Sequence, residues 1–387
     1  MREYERTHPW ITFEIDLNRI NYHLWMALGD VQARCEFIAG VPLQPEIRTQ
    51  MLSIFMAKGV HATTAIEGNT LSEEEVRARM EGKLQLPESK EYLGVEVDNV
   101  IAGCNDIKER IMRGEPDRIS MAEIKGYNNT VLRGLSVDEG VVPGEIRTYS
   151  VGVGRYRGAP AADCDFLLNR LCEWLNDKSF QPAGHPIAFG VLRAILAHLY
   201  IAWIHPFGDG NGRTARLLEF KTLLAHGAPS VTAHLLSNHY NQTRTEYYRQ
   251  LDYTSKSGGN VIPFIEYAVR GFVDQLKEQI AWIRVSEIKI TWSNFIHDQF
   301  KNKSGATNER RRRLVLDLSM DLQKSVPFNE IRHISPRIAE AYASKTDMAI
   351  RRDINELVDN GLLEKEKGKY RANWKTILAF MPERKIG

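Results

Sequence analysis

Apolar residues at helical spacing dominate the hydrophobic pattern of this 387-residue chain. Two apolar runs stand out, from Ile187 to Ile204 and from Ala215 to Ala225, and a short glycine-rich polar stretch separates them. Runs of this length and spacing predict two core helices joined by a loop. The same spacing predicts further helices over residues 45–64, 91–113, 119–135, 166–176 and 263–292.

The pattern changes in two other places. Residues 145–154 lose the helical spacing and predict a strand and turn, which would form a small exposed hairpin. Near the C-terminus, residues 335–343 and 346–360 predict two helices, and a basic hairpin is expected around residues 368–371. The predicted fold class is therefore mainly α, with one small β-hairpin in the helical core and a separate C-terminal domain.

Charge is distributed unevenly along the chain. Residues 301–387 carry 19 Lys and Arg against 12 Asp and Glu, whereas the first 300 residues carry 32 against 37. A polar stretch with four consecutive arginines separates the two parts and predicts a linker. The predicted organisation is an N-terminal helical region at 1–90, a core with bridging helices at 91–298, a linker at 299–313 and a C-terminal domain at 314–387.

Composition bounds the class of protein. With 43% hydrophobic and 26% charged residues, the chain suits an ordinary soluble globular protein. The acids among the first six residues do not suit a secretory signal, and no window offers 18 uncharged apolar residues, so a cytoplasmic location without a membrane partner is expected. The four cysteines lack Cys-x-x-Cys spacing and suit neither a zinc site nor a disulfide framework.

The loop between the two central helices concentrates chemistry between His205 and Arg216. Gly210, Asn211 and Gly212 would place backbone N–H groups at the start of the second helix. Unpaired amides and the helix dipole together make an anion site there, and phosphate is its natural occupant.

The side chains of the same loop suit a polyphosphate. Arg213 and Arg216 lie three residues apart and can present two guanidinium groups beside the amides. Asp209 would be repelled by phosphate unless it held a cation, so it is the predicted ligand of a Mg²⁺ ion shared with phosphate oxygens. His205 is the group in the loop whose ordinary pKa suits a general base near neutral pH.

The stretch from His205 to Arg216 resembles the signature of the Fic family (Fic/DOC, the Fido fold), His-x-Phe-x-Asp/Glu-Gly-Asn-Gly-Arg-x-x-Arg, at every fixed position. The resemblance implies an enzyme that transfers AMP from ATP to a Tyr, Ser or Thr hydroxyl of a target protein and releases pyrophosphate. Gly212 favours AMP transfer, because a phosphorylating relative has lysine at the matching position.

The resemblance also implies a role for each site residue. His205 deprotonates the target hydroxyl and Asp209 holds Mg²⁺. The anion hole comprises Gly210, Asn211 and Gly212. Phosphate binding falls to Arg213, with Arg216 binding the γ-phosphate.

A second motif lies at the end of the predicted helix 45–64. By itself, Glu67 suits a surface glutamate, although an acid at a helix C-terminus needs a cationic partner because the dipole disfavours it. However, Thr63-x-x-x-Glu67-Gly68 resembles the inhibitory motif found N-terminal to the core in one class of Fic proteins. The resemblance implies that Glu67 pairs with Arg216 and obstructs the γ-phosphate of ATP.

Two further contacts are implied by the resemblance. The predicted hairpin would be a flap that docks an extended target segment by strand addition, through Ser150, Val151, Gly152 and Val153. Tyr248, one of two adjacent tyrosines, would contact the adenine base. Without the resemblance, the hairpin is merely exposed and Tyr248 is a packing residue.

The C-terminal domain resembles a winged helix-turn-helix domain in its predicted order of elements. Its second helix carries Arg351 and Arg352 but also Asp353, Glu356 and Asp359, so DNA binding and protein docking both stay open. Two alternative functions follow: a DNA-binding regulator whose core senses nucleotide, and removal of AMP from a modified protein with Glu67 positioning water. Self-modification and a homodimer also stay open.

Overall fold

A computed structural model describes residues 1–154, 156–180 and 184–378, apart from the side chain of Val153. The chain divides into two compact units, Met1–Ile280 and Ala281–Gly387. The prediction of a mainly α fold is confirmed. The elements that begin in the first unit are α1 (Glu3–Thr7), α2 (Tyr22–Gly40), α3 (Pro45–Ala65), α4 (Glu73–Met80), α5 (Glu91–Met112), α6 (Met121–Leu132), β1 (Gly152–Val153), β2 (Tyr156–Arg157), α7 (Ala161–Leu175), α8 (Pro186–Ile204), α9 (Asn211–Ala225), α10 (Leu235–Gln242), α11 (Arg244–Lys256) and α12 (Ile262–Phe300).

Helix α8 is the central element of the first unit and packs against α2, α7 and α9. Sixteen of its 19 residues are buried, which explains why its sequence is apolar on every side. Among the described residues it is the one helix long and apolar enough to cross a membrane, but 89% of its apolar window is buried, as in a core helix. At its start, Oε1 of Gln32 accepts hydrogen bonds from the N–H groups of Ile187 and Ala188, at 2.9 and 3.1 Å.

The helices around α8 and α9 bring distant parts of the chain to the predicted loop. Helix α9 packs against α5 and α6, while α3 packs against α4, α5 and α10. The first 90 residues are therefore part of the first unit and do not form a unit of their own. Gly68 follows α3 with a positive φ of 102°, which turns the chain sharply just after Glu67.

The predicted strand at 145–154 is wrong for most of its length. Only Gly152–Val153 is a strand, paired antiparallel with Tyr156–Arg157. Within residues 145–151, Arg147 instead contacts the central loop, because its backbone N–H donates to the carbonyl of Pro206 at 3.0 Å. The alternating sequence pattern did not distinguish this extended segment from a strand.

In the part of the second unit that the structure describes, the C-terminal end of α12 and three further helices pack with a three-stranded antiparallel sheet in the order β3-β5-β4. Its core is a cluster of buried apolar residues that includes Trp292, Ile296 and Phe300. The predicted helices and hairpin are confirmed, and the order of elements is the one expected. The elements are α13 (Ala306–Leu318), β3 (Val326–Pro327), α14 (Pro336–Tyr342), α15 (Asp347–Asp359), β4 (Leu363–Glu366) and β5 (Lys369–Ala372).

The predicted linker at 299–313 is wrong. Most of its residues lie in α12 or α13, and the two units divide instead after Ile280. The physical reason is an ion pair over long sequence distance: Arg310 and Arg311 both bind the carboxylate of Asp353, which is completely buried. A run of arginines predicts a solvated linker, because the sequence alone does not show that their carboxylate partner lies more than 40 residues away.

Candidate active site

The loop between α8 and α9 has a rigid backbone built by its own side chains. His205 ends α8 in the left-handed region, with φ 51° and ψ 58°. Asn211 then spans the loop, because its Oδ1 accepts from the N–H of Phe207 at 3.0 Å and its Nδ2 donates to the Phe207 carbonyl at 2.9 Å. Phe207 itself is buried and anchors the loop in the core. The Asn211 side chain thus shapes the loop, which leaves only its backbone N–H for a ligand.

The start of α9 presents unpaired backbone amides. Among the described residues, the N–H groups of Asn211, Gly212 and Arg213 have no hydrogen-bond acceptor. The N–H of Gly210 is occupied by Oδ1 of Asp209 at 2.5 Å. Arg213 thus offers a free amide in addition to those of Asn211 and Gly212, and the phosphate-binding role of Gly210 stays a prediction. Three such amides at a helix N-terminus suit the oxygens of a phosphate.

Arg213 is held by acids on both sides. Its Nη1 donates to Oε1 of Glu96 at 2.9 Å, and its Nη2 lies 3.2 Å from Oδ2 of Asp209. Glu96 is fixed in turn by Nδ2 of Asn69 at 2.8 Å. Sequence reasoning missed Glu96 and Asn69, because each is an ordinary polar residue and their meeting depends on the packing of α5 against α9.

Arg216 and Glu67 form the predicted ion pair across 149 residues of sequence. Nη2 of Arg216 donates to Oε1 of Glu67 and also to the carbonyl of Thr63, the latter at 3.0 Å. The guanidinium is almost fully buried, whereas about a third of the Glu67 side chain, 32%, is exposed. Burial would raise the pKa of Glu67, but the guanidinium groups of Arg216 and Arg213 outweigh it and lower that pKa.

Glu67 also lies directly over the free amides. A Cβ atom built on Gly212 would overlap Oε1 of Glu67 and would come within 3.1 Å of Nη1 of Arg216. Glycine at 212 is thus required for the close approach of the carboxylate. A carboxylate beside unpaired amides and a buried guanidinium occupies the kind of place that an anionic ligand would take.

His205 faces this cluster from the other side of the loop. Burial is the main cause that lowers the pKa of its imidazole to about 4. A hydrogen bond to the Ala202 carbonyl opposes that shift, Arg147 adds to it, and the carboxylates of Glu67 and Asp209 oppose it. The ring is therefore neutral at physiological pH and able to accept a proton.

Two residues that sequence reasoning missed hold the loop from outside. Asn128 of α6 is completely buried, donates to the Asp209 carbonyl at 2.9 Å and accepts from the N–H of Gly144 at 2.9 Å. Arg147 donates to the His205 carbonyl at 2.7 Å. Most of their partners are backbone atoms, which leave no signal in the sequence.

Tyr248 and the hairpin make few contacts with the residues of the loop, and their roles in adenine binding and target docking stay predictions. The Tyr248 hydroxyl lies 3.5 Å from the Ile66 carbonyl, at the end of the segment that carries Glu67, and 41% of the residue is exposed. In the hairpin, Gly152 pairs with Arg157 while Ser150 precedes the strand and is exposed. Val151 contributes its carbonyl, which accepts from the N–H of Gly158 at 3.1 Å. The side chain of Val153 lies outside the described residues.

The site offers one exposed carboxylate that could hold a cation, that of Asp209, which contacts Arg213 and the Gly210 N–H in this structure. Asp209 is half exposed, at 51% of its side chain, and its carboxylate borders the free amides through Gly210. Within residues 1–154, 156–180 and 184–378, no group of three or more His, Cys, Asp or Glu side chains could hold a metal ion. One exposed carboxylate fits an ion that takes most of its ligands from phosphate and water, as Mg²⁺ does.

Comparison with known proteins identifies relatives of the chain. Residues 118–223 match the model of the Fic/DOC family. Protein adenylyltransferase fic-1 from Caenorhabditis elegans is 32% identical over 60% of this chain and 42% of its own length. Protein adenylyltransferase Fic from Aedes aegypti is 30% identical over 54% of this chain and 38% of its own length. The chain thus spans about two fifths of the length of these curated relatives.

Solved structures show the same fold. A Fic family protein from Desulfovibrio desulfuricans G20 matches with a TM-score of 0.54 over 90% of this chain and 94% of that chain, at 21% identity. That likeness concerns fold alone. Fic-1 from C. elegans matches with a TM-score of 0.52 at 28% identity, over 66% of this chain and 71% of that chain.

Proposed function

We propose, from the premise that residues 118–223 form a domain of the Fic family, that this protein is a protein adenylyltransferase. It would transfer AMP from ATP to a Tyr, Ser or Thr hydroxyl of a target protein and release pyrophosphate. The observation that carries the proposal is the cluster of three free amides and the buried Arg216 beside a neutral imidazole at His205. The curated relatives named above carry the same activity in their names.

The geometry suits each step of the transfer. The free amides of α9 would bind phosphate oxygens and hold the triphosphate across the loop. His205 would take the proton of the target hydroxyl as that oxygen forms a bond to the α-phosphorus and the bond to the pyrophosphate oxygen breaks. Asp209 is the residue that would hold Mg²⁺, and a bound Mg²⁺ would neutralise charge on the phosphates.

Glu67 would keep this activity low. Its carboxylate and the γ-phosphate of ATP both suit the fork of Arg216, so they compete for one cation that cannot lose its charge. With Glu67 in place, the triphosphate would bind with its α-phosphorus out of line with the incoming hydroxyl. Glu67 is suited to this role because it approaches Gly212 closely and keeps a third of its side chain in solvent.

The experiment that tests the proposal uses ATP labelled at the α-phosphate, with cell lysate as the source of target. Wild type, Glu67→Gly and Glu67→Gly/His205→Ala are compared for labelled protein, including labelling of the chain itself. Glu67→Gly should raise labelling at least tenfold, which corresponds to about 1.4 kcal/mol of barrier. The double variant should lose about 10²–10⁴-fold of that rate while it still binds ATP.

Controls separate the alternatives. Asp209→Asn in the Glu67→Gly background should remove both transfer and its dependence on Mg²⁺. Labelling by the His205→Ala variant at the rate of its parent would refute the proposed base. A target that already carries labelled AMP can be incubated with each variant. If the label is lost only when Glu67 is present, AMP removal is favoured, with Glu67 positioning water. A cytoplasmic location, self-modification and a homodimer stay predictions.

A second proposal concerns the second unit, for which one observation favours nucleic acid. Lys365, Lys367 and Lys369 of the β4-β5 hairpin are exposed and form no ion pair within the described residues. Three exposed cations without a carboxylate partner, on a hairpin beside a helix, suit contacts to DNA phosphate. The Lys365→Gln/Lys367→Gln/Lys369→Gln variant should weaken binding of duplex DNA and flatten its salt dependence by about 0.9 per lost contact. Binding that does not depend on salt would favour a protein partner.

A further inference from the structure

Arg147 is a buried arginine that binds backbone carbonyls and no carboxylate. Its Nε donates to the His205 carbonyl at 2.7 Å and its Nη1 donates to the Tyr149 carbonyl at 2.6 Å. Its Nη2 donates to the carbonyls of Ala159 and Ile204, at 2.5 and 3.4 Å. The residue is only 4% exposed, and its charge has no acidic partner among the described residues.

These acceptors belong to two parts of the molecule. Ile204 and His205 end α8, where free carbonyls and the negative end of the helix dipole favour a cation. Tyr149 and Ala159 flank the β1-β2 hairpin on either side. One guanidinium therefore ties both ends of the hairpin segment to the last turn of α8.

The hairpin segment and the last turn of α8 meet at the backbone of His205, whose carbonyl accepts from Arg147. This residue has φ 51°, a conformation that costs free energy for any residue except glycine. Further contacts hold it there: the N–H of Arg147 donates to the Pro206 carbonyl at 3.0 Å, and the N–H of Ala159 donates to the Ile204 carbonyl at 3.2 Å.

The hairpin segment also approaches the His205 side chain itself. A Cβ atom on Gly158 would lie 2.8 Å from Cβ of His205 and 3.0 Å from Nη2 of Arg147. Only glycine allows the segment to come this close, and the same approach brings its carbonyls within reach of the guanidinium. The direction of the imidazole is thus determined by the hairpin segment as well as by its own loop.

We propose that Arg147 is the positioning residue of His205: its guanidinium holds the left-handed end of α8 and the hairpin segment together, so that the imidazole faces the incoming hydroxyl. This inference rests on the proposed function, because it gives His205 the role of base. It adds that the target-docking hairpin and the base are held by one side chain and move as one piece. Arg147 touches neither the free amides nor Arg216, so its effect on transfer would be separate from nucleotide binding.

The charge of Arg147 also affects the pKa of His205, and this effect can be measured. The charged groups that face His205 are Arg147 from the hairpin segment, Glu67 from the segment after α3 and Asp209 from the loop. Arg147 lowers the pKa of the imidazole and the two carboxylates raise it. Removal of the Arg147 charge should therefore raise the pKa of His205, whereas lysine at this position should leave the pKa nearly unchanged and lose the forked hydrogen bonds.

The test compares Arg147→Lys and Arg147→Gln in the 387-residue chain that carries Glu67→Gly. Both should lower kcat at least tenfold, with KM for ATP within about twofold of the parent. Arg193→Lys is the matched control, because Arg193 is also a fully buried arginine in the same unit but binds Asp117 on another side of α8. It should cost thermal stability and leave kcat per folded molecule within about twofold of the parent.

A second measurement keeps the inference separate from the proposed function. The pKa of His205 is followed by NMR of ring-labelled histidine in the same proteins, whether or not they transfer AMP. A raised pKa in Arg147→Gln, with a nearly parental pKa in Arg147→Lys, supports the contact even if no label is ever transferred. An unchanged His205 spectrum and titration in Arg147→Gln would overturn the inference, as would a kcat loss no larger than that of Arg193→Lys.

Discussion

Each of the two units contains a buried ion pair between arginine and carboxylate, and the two pairs differ in how completely they are satisfied. In the second unit, Oδ2 of Asp353 accepts from Nε and Nη2 of Arg310 at 2.9 and 2.7 Å, and Oδ1 accepts from Nε of Arg311 at 2.9 Å. The Tyr342 hydroxyl adds a fourth bond to Oδ2 at 3.3 Å. Asp353 itself is completely buried.

The pair in the first unit is incomplete. Nε and Nη1 of Arg216 are buried without a hydrogen-bond partner among the described residues, and Glu67 remains a third exposed. A carboxylate that accepts four hydrogen bonds in the interior is expensive to remove, since its charged partners would lose their counter-charge. A partly exposed carboxylate on an unsatisfied guanidinium can be exchanged for another anion. The comparison therefore separates a structural ion pair from a replaceable one.

The largest expected effect lies in the structural pair. Asp353→Ala should lower the free energy of unfolding of the second unit by about 3–5 kcal/mol, because the buried guanidinium group of Arg310 loses its carboxylate and Arg311 keeps only the more distant Glu356. Hydrogen exchange of peptides from α13 and α15, measured by mass spectrometry, reports that unit specifically. Exchange rates in those peptides equal to wild type would show that the two pairs do not differ as described.

Loss of the carboxylate from the replaceable pair should destabilise its unit much less. Glu67→Gly should raise hydrogen exchange in α8 and α9 only slightly, since its carboxylate is the exchangeable partner. Arg216→Gln in that background should lower AMP transfer by about tenfold to a hundredfold, or about 1.4–2.7 kcal/mol, because the γ-phosphate would lose its cation. Titration with labelled ATP would locate that loss in nucleotide affinity. If the double variant transfers AMP at the rate of its Glu67→Gly parent, Arg216 does not bind the γ-phosphate.

The pH dependence of the first unit sharpens the same comparison. The pKa of Glu67 is lower in the folded protein than its ordinary value, so its contribution to stability is complete above that ordinary value, about 4.3, and is lost as the pH falls through the lower folded pKa. Wild type should therefore be more stable than Glu67→Gln at pH 7. The difference in melting temperature should shrink as the buffer becomes more acidic, measured by calorimetry between pH 7 and pH 3. A constant difference across that range would contradict the ion pair.

The smallest effect is expected from the remaining arginines of the same run. Arg313 is half exposed and pairs with Glu309 one helical turn away, at 2.5 Å. Exposed pairs of this kind contribute about 0.3–0.5 kcal/mol. Arg313→Gln should thus change the urea midpoint of the second unit only slightly, whereas Arg311→Gln should lower it clearly. If the two variants lower the urea midpoint equally, burial does not determine how much each arginine contributes to stability.

The sequence predicted those parts of the site whose chemistry is local. His205, Asp209 and Arg213 lie within one loop and the first turn of one helix, so their spacing alone indicated that they would meet. The Glu67 pairing with Arg216 was predicted only through the resemblance of a second motif, since nothing in spacing joins residues 149 positions apart.

What the sequence did not predict depends on partners without a signature. Arg147 and Asn128 bind backbone carbonyls or amides, which every residue carries, so no pattern marks them. The strand expected over 145–154 failed over residues 145–151 for the same reason, because the N–H of Arg147 donates to the Pro206 carbonyl of the central loop instead of to a neighbouring strand. The prediction of a linker failed because Arg310 is buried in an ion pair with Asp353. Tertiary packing determines that contact, and it overrides local composition.

The contact between Gly212 and Glu67 has an evolutionary consequence. Because a Cβ at 212 would overlap the Glu67 carboxylate, a side chain acquired at position 212 would displace that carboxylate from its present place. The two positions, 145 residues apart, are therefore epistatic: alanine or lysine at 212 should also weaken the ion pair between Glu67 and Arg216. A mutational path that adds a side chain to this loop thus changes that ion pair at the same step.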